Sequence, residues 1–285
     1  MKRIKVLAAL VTGVMEMRKN MGLLALFLIA LVVLALALPA LPGRAEEFDE
    51  AHIFFELNDT DGDLGIHALI DGDAYDKLQI IGPDKHKMLN LHIKGSLREQ
   101  GLTEFFFESA EPTFDELSPG EFFDRFAEGD YTIKATTLEG DALKSETELT
   151  HTMPAPPGGI QLSGVPIDLD DVDCDDETTI PSVMEPVTIS WEEVTTSHPD
   201  PDGGGAGVQP PIGVTIHNYE VVVEATVEVN GEEFDSVFSV VLPPGVTSMT
   251  VPAEFIDQAE EFKYEILARE ESFNQTAIES CFKVE

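Results

Sequence analysis

The sequence predicts an all-β protein of two antiparallel β-sandwiches behind an N-terminal apolar segment. Three observations predict it. From His52 onward the 285-residue chain is a series of apolar runs of strand length, separated by Gly, Pro, Asn and Asp clusters. Asp71-Gly72, Gly82-Pro83-Asp84 and Asn230-Gly231 stand between such runs as turn signals. The break "MPAPPGG", Met153 to Gly159, divides the runs into two groups, each with the strand content of one sandwich of about 100 residues.

Residues 1–45 stand apart as a signal peptide or membrane anchor. Lys2, Arg3, Lys5, Arg18 and Lys19 precede "GLLALFLIALVVLALAL", residues 22–38, which carries no charge. Pro39 and Pro42 end that run, and Gly43 and Ala45 are small residues at the −3 and −1 positions of a cleavage site. This order is that of a secretory signal. The run is long for a signal and short for a membrane span, so cleavage after Ala45 and retention as an anchor are both open. Met17 is a second candidate start.

The first sandwich is expected over 46–153. "HIFFEL", "LGIHALI", "AYDKLQII" and "MLNLHIKG" read as a meander, with a hairpin at Asp71-Gly72 and a turn at Gly82-Pro83-Asp84. "TEFFFES" adds a strand. "SPGEFFDRF" predicts a short helix with Ser118 as its cap, an early Pro119, and Phe122, Phe123 and Phe126 on one face. "GDYTIKATTLEGDALKSETELTH" supplies two more strands. Phe105, Phe106 and Phe107 cannot all face inward from one strand. One face of them is expected against the Phe122 helix, or exposed as an interface patch.

Residues 154–180 are expected to connect the sandwiches. "DLDDVDCDDE", Asp168 to Glu177, holds seven acids in ten residues, a like-charge block that repels itself into an extended chain, read as a linker or an exposed first strand. It surrounds Cys174, and Cys281 is the other cysteine of the chain. In an exported protein such a pair is expected to form a disulfide.

The second sandwich is expected over 181–285. "VTISWEEV" with the one tryptophan, Trp191, then "YEVVVE", "LPPGVTSMTV" and "EEFKYEILARE" resemble strands B, C, E and F of a fibronectin type III domain, in that order. The resemblance covers about 100 residues. It departs at Phe262, which stands where such domains carry a corner tyrosine, and in the longer "VNGEEF" excursion. It implies a sandwich that serves as a spacer or binding surface. For the first sandwich an immunoglobulin-like arrangement is expected.

The chain carries 54 Asp and Glu against 17 Lys and Arg, a net charge of −37. Without residues 1–45, 11 basic and 53 acidic residues remain, net −42. Such a surface repels nucleic acid and anionic lipid and suits cations or cationic partners. "LNDTDGD" places Asp59, Asp61 and Asp63 at positions 1, 3 and 5 of an EF-hand loop, but Leu64 and Ile70 occupy the glycine and glutamate positions. An EF-hand is excluded. A looser calcium site on Asp59, Asp61 and Asp63, or plain turn duty for these residues, are the remaining readings. Asn58-Asp59-Thr60 and Asn274-Gln275-Thr276 match the glycosylation sequon.

No nucleophile elbow, H-E-x-x-H, P-loop or C-x-x-C motif occurs. The expectation is therefore an exported, non-enzymatic module for an extracellular or envelope partner, protein or glycan, with no cofactor unless calcium. The alternatives are a carbohydrate-binding or hydrolytic accessory protein working through the first domain, and a calcium-stabilised surface module.

Overall fold

The computed structural model describes residues 45–200 and 211–285. The expected signal or anchor over 1–45, but for Ala45 itself, and residues 201–210 lie outside the described residues. Among the described residues no helix is long and apolar enough to cross a membrane. Ala45–Glu285 forms one compact unit.

Among the described residues fifteen strands carry the unit: β1 Glu50–Asn58, β2 Asp63–Ile81, β3 Lys87–His92, β4 Leu102–Glu108, β5 Gly129–Thr137, β6 Ala142–Leu149, β7 Gln161–Leu162, β8 Val165–Pro166, β9 Ser182–Val183, β10 Thr188–Ser190, β11 Ile216–Val229, β12 Glu232–Leu242, β13 Ser248–Thr250, β14 Glu261–Glu270 and β15 Gln275–Val284. Short helices α1 Gly95–Gln100, α2 Pro119–Phe123 and α3 Ala253–Ile256 decorate them. The all-β sandwich class is as the alternating runs predict.

Strand β2 does not turn at Asp71-Gly72. It runs 19 residues, and the expected hairpin there is replaced by a corner within the strand. Its first half lies between β1 and β4, from Asp63↔Asn58 to Asp71↔Glu50 on the β1 side. Its second half lies between β3 and β5, and the ladder registers shift between Asp71, Tyr75 and Lys77. A type I′ turn needs positive φ at both central residues, and Gly72 does not adopt one. Gly72 instead admits Phe48: a Cβ there would lie 3.1 Å from the Phe48 ring. Leu64, Ile66, Ala68 and Ile70 from the first half, with Leu78 and Ile80 from the second, close on one core with Phe55, Ile133 and Leu143.

Other expectations hold. Gly82 to His86 makes the turn after β2, with Lys85 at φ 68. Asn230 and Gly231, at φ 58 and 83, join β11 to β12 as a two-residue hairpin. Ser118 caps α2, accepting from the Glu121 N–H, and Phe122 and Phe123 are buried. Phe105 and Phe107 pack on the core that contains Phe122, while Phe106 on the opposite face is 53% exposed.

The second core lies between β12-β11-β14-β15 and a four-stranded sheet ordered β13-β10-β7-β8. Val221, Tyr264, Ile266 and Phe282 face Leu162, Ile189, Trp191 and Val251 across it. The runs likened to strands B and E pair (β10 with β13), as do those likened to C and F (β11 with β14). Segment 154–180, expected to connect the sandwiches, supplies Ile160 and Leu162 to this core and β7 to the smaller sheet. Cys174 and Cys281 are disulfide-bonded, tying the acidic segment to β15 across 107 residues. Closing a loop that long stabilises by about 4–5 kcal/mol in the chain-entropy model.

The two cores share one sheet. β1 pairs in parallel with β15 at Glu56↔Gln275, Leu57↔Thr276 and Asn58↔Ala277, giving the order β12-β11-β14-β15-β1-β2-β5-β6.

Candidate functional site

Side chains alternate across a strand. On β1, Ile53, Phe55 and Leu57 enter the core, so Phe54, Glu56 and Asn58 line the outer face of the shared sheet. By the same alternation the outer face takes Gly65 and His67 from β2, Glu220 and Glu224 from β11, Glu265 and Arg269 from β14, and Gln275 and Glu279 from β15. The junction of the two halves thus gathers five carboxylates, Glu56, Glu220, Glu224, Glu265 and Glu279, around His67 and Arg269.

At its centre stands His67, 4% exposed. Its Nε2 lies 3.1 Å from Glu111 Oε1 and its Nδ1 lies 3.8 Å from Glu56 Oε2. Glu111 follows β4 and reaches the imidazole by crossing Gly65. A Cβ on Gly65 would fall 2.3 Å from the Glu111 carboxylate, so the glycine makes room for it. Gln275 donates to Glu56, and Arg269 Nε donates to Gln275 Oε1 at 2.7 Å. Arg269 also lies over the Phe54 ring, 5.9 Å from its centroid. The Nε2–Glu111 contact is a hydrogen bond, whereas 3.8 Å to Glu56 is beyond hydrogen-bond reach.

Glu56, His67 and Glu111 each offer one ligand atom within 4.8 Å of the others, and among the described residues they are the one such group of three. They could hold a divalent cation, although Glu56 and Glu111 face opposite nitrogens of the ring. His67 falls in a strand-like run, where a histidine is more often a packed residue than a ligand. Glu111, on a loop, carries no sequence signal, and the one pointer is an isolated glycine within the run "LGIHALI".

The surrounding carboxylates are short of positive charge. Burial, then Glu56, Glu279, Glu220 and Glu224, push Glu265 up to about 8. Burial, then Glu111, Asp61, Glu279 and Glu56, push Asp63 up to about 6. Glu56 and Glu279 are raised too, chiefly by burial, with His67 working against this at Glu56.

The three aspartates of the opening turn have different surroundings. Asp59 Oδ1 lies 2.8 Å from His198 Nε2. Asp61 joins Thr60, Asp173, Asp175, Lys263 and Glu279 around a depression beside the disulfide, so the turn and the "DLDDVDCDDE" block meet there. Asp63 lies at the edge of the His67 cluster. The turn is held by Asn58, whose Oδ1 accepts from Thr60 N at 3.0 Å and Asp61 N at 3.2 Å. Of the two sequons, Asn274 is fully buried, with its amide bonded to backbone and hydroxyl groups. A glycan has no access to it.

No protein-family model matches the chain, and no curated protein matches it by sequence. Among solved structures the chain is similar to a tetra-tandem repeat in the extending region of a large adhesion protein, at TM-score 0.21 and 11% identity over 83% of this chain and 50% of that one. It is also similar to a 1.5-MDa bacterial ice-binding adhesin, at TM-score 0.20 and 10% identity over 85% of this chain and 66% of that one. A third is Dpr11 IG1 bound to DIP-gamma IG+IG2, at TM-score 0.22 and 10% identity over 84% of this chain and 98% of that one. The chain thus spans about half the length of the first of these. A TM-score near 0.2 carries neither family, partner nor activity over to this chain.

Proposed function

We infer that the chain is an exported, non-catalytic module whose two β cores share one sheet, and that it binds a cationic extracellular or envelope partner on the outer face of that sheet. One observation carries the reading: Glu56, Glu265 and Glu279 lie on that face with carboxyls raised chiefly by burial and further by neighbouring acids. A cationic group docking there would relieve the repulsion and draw off the proton that Glu265 holds. The disulfide suits an oxidising compartment, and the signal-like N-terminus suits export. Arg269 and Lys263 interrupt the acids and would orient a partner rather than neutralise the face.

The test is binding of a lysine-rich probe peptide by calorimetry at fixed ionic strength, in two buffers of different ionisation enthalpy. Binding to the sheet face predicts proton release at pH 7 that falls in Glu265→Gln. It also predicts affinity lowered several-fold by Glu265→Gln with Glu279→Gln and unchanged by Glu139→Gln with Asp141→Asn, at the β5–β6 turn. Equal losses from both pairs, with no proton release, would reduce the acids to an unspecific coat. A calcium-specific rise in unfolding midpoint, absent with magnesium at matched ionic strength and lost in Asp61→Ala, would instead favour the calcium-stabilised module.

A further inference from the structure

Strand β12 ends the sheet order, and among the described residues nothing pairs with its far side. The two-residue turn fixes which backbone groups are free. Val229 and Glu232 close the hairpin as a hydrogen-bonded pair, and the register runs without a break to Tyr219↔Leu242. Alternate residues therefore face away from β11: Glu233, Asp235, Val237, Ser239 and Val241. Their side chains share the outer face, where Val237 and Val241 are 55% and 56% exposed.

Sheets protect their edges with brevity, charge or proline. β8 and β9 are two residues long and β13 is three. β6 carries Lys144, Glu146 and Glu148. β12 is 11 residues long, without proline, lysine or arginine. Its acids, Glu232, Glu233 and Asp235, all fall in its first four residues, and Val237–Leu242 is an uncharged six-residue edge.

We propose that this edge is a self-association surface: β12 pairs antiparallel with β12 of a second copy of this chain, about a two-fold axis at Ser239. That register sets outward-facing residues against outward-facing residues, with Val237 opposite Val241 of the second copy and the two Ser239 residues facing each other. It also carries Glu232, Glu233 and Asp235 past the end of the other strand, where Pro243-Pro244-Gly245 presents no charge. Parallel pairing would set acid against acid. A basic strand from another protein would gain nothing from the uncharged half, whereas an uncharged valine-bearing strand fits it, and this chain supplies one. The net charge of −37 opposes the approach of two copies, so pairing strengthens with salt as the Debye length shrinks from about 10 Å at 0.1 M toward about 3 Å at 1 M. One strand pair buries less than the roughly 1,000 Å² of a stable interface, so the association is a weak one.

The test uses Ala45–Glu285, which holds both cores and the disulfide, in sedimentation equilibrium up to about 0.5 mM at low and high salt, on the order of the concentration a weak interface requires. A monomer–dimer equilibrium is expected, tighter at high salt and absent in Val237→Pro. The outward N–H of residue 237 is not part of the β11 ladder, so proline is tolerated there. Ser239→Cys is expected to form an intermolecular disulfide much faster than Glu233→Cys, a comparison that decides the matter even if Val237→Pro misfolds. A chain monomeric under all conditions, a Val237→Pro dimer as strong as wild type, or equal cross-linking at 233 and 239 would each overturn the proposal.

Discussion

Glu265 shows what one residue does in so acidic a sheet. It sits half-buried on β14, directly across from Glu279, and titrates at about 8 in the folded chain against an ordinary 4.5. The folded value is the higher one, so between these limits the native state holds the extra proton. Stability is then fully present below about 4.5 and is lost as pH rises toward 8, at up to about 1.4 kcal/mol per pH unit. Asp63 acts in the same direction in a lower window, between 3.8 and about 6. Replacing Glu265 with glutamine is expected to raise the thermal midpoint at pH 8 and leave it nearly unchanged at pH 4. Denaturation scans across that range check it, and equal shifts at both pH values would contradict the assignment.

At the scale of elements, the two halves are stitched by a side chain from the β14–β15 turn. Asn274 Oδ1 accepts from Phe55 N on β1 at 2.8 Å, and its Nδ2 donates to Thr150 O at 2.9 Å, Thr150 Oγ1 at 3.1 Å and Thr152 O at 2.9 Å. Thr276 Oγ1 adds a bond to Pro154 O at 2.7 Å. Asn274→Ala strands several buried backbone groups at once, at a cost of about 3 kcal/mol. For a chain of this size that lowers the midpoint by roughly 6–12 °C, measurable by circular dichroism. A shift within experimental error would mean that water takes over these bonds.

These ties were not legible in the sequence, because Asn274 and Phe55 lie 219 residues apart and a sequon-bearing asparagine reads as surface. Local grammar was legible. Asn230-Gly231 closes the hairpin, Ser118 with Pro119 starts α2, and Trp191 with Tyr219 fills the second core, the rings 5.4 Å apart. Asp71-Gly72 misled because the glycine answers to Phe48 above it rather than to a turn. The His67 cluster escaped for a related reason: it takes one residue from each of two strands and one from a loop, and no spacing along the chain marks it.

For the whole molecule, the central feature is the β1–β15 ladder, which runs one sheet through both cores where the sequence, read locally, yields two sandwiches with a connector between. The disulfide and Asn274 reinforce that junction, and the acidic outer face is continuous across it. Continuity of hydrogen bonding implies continuity of unfolding, because neither half can open without exposing strand edges and buried amides of the other. Differential scanning calorimetry of Ala45–Glu285 tests this most directly. The account predicts a single endotherm whose calorimetric and van't Hoff enthalpies agree. Two resolved transitions, each with its own van't Hoff enthalpy, would contradict it and return the halves to independent domains.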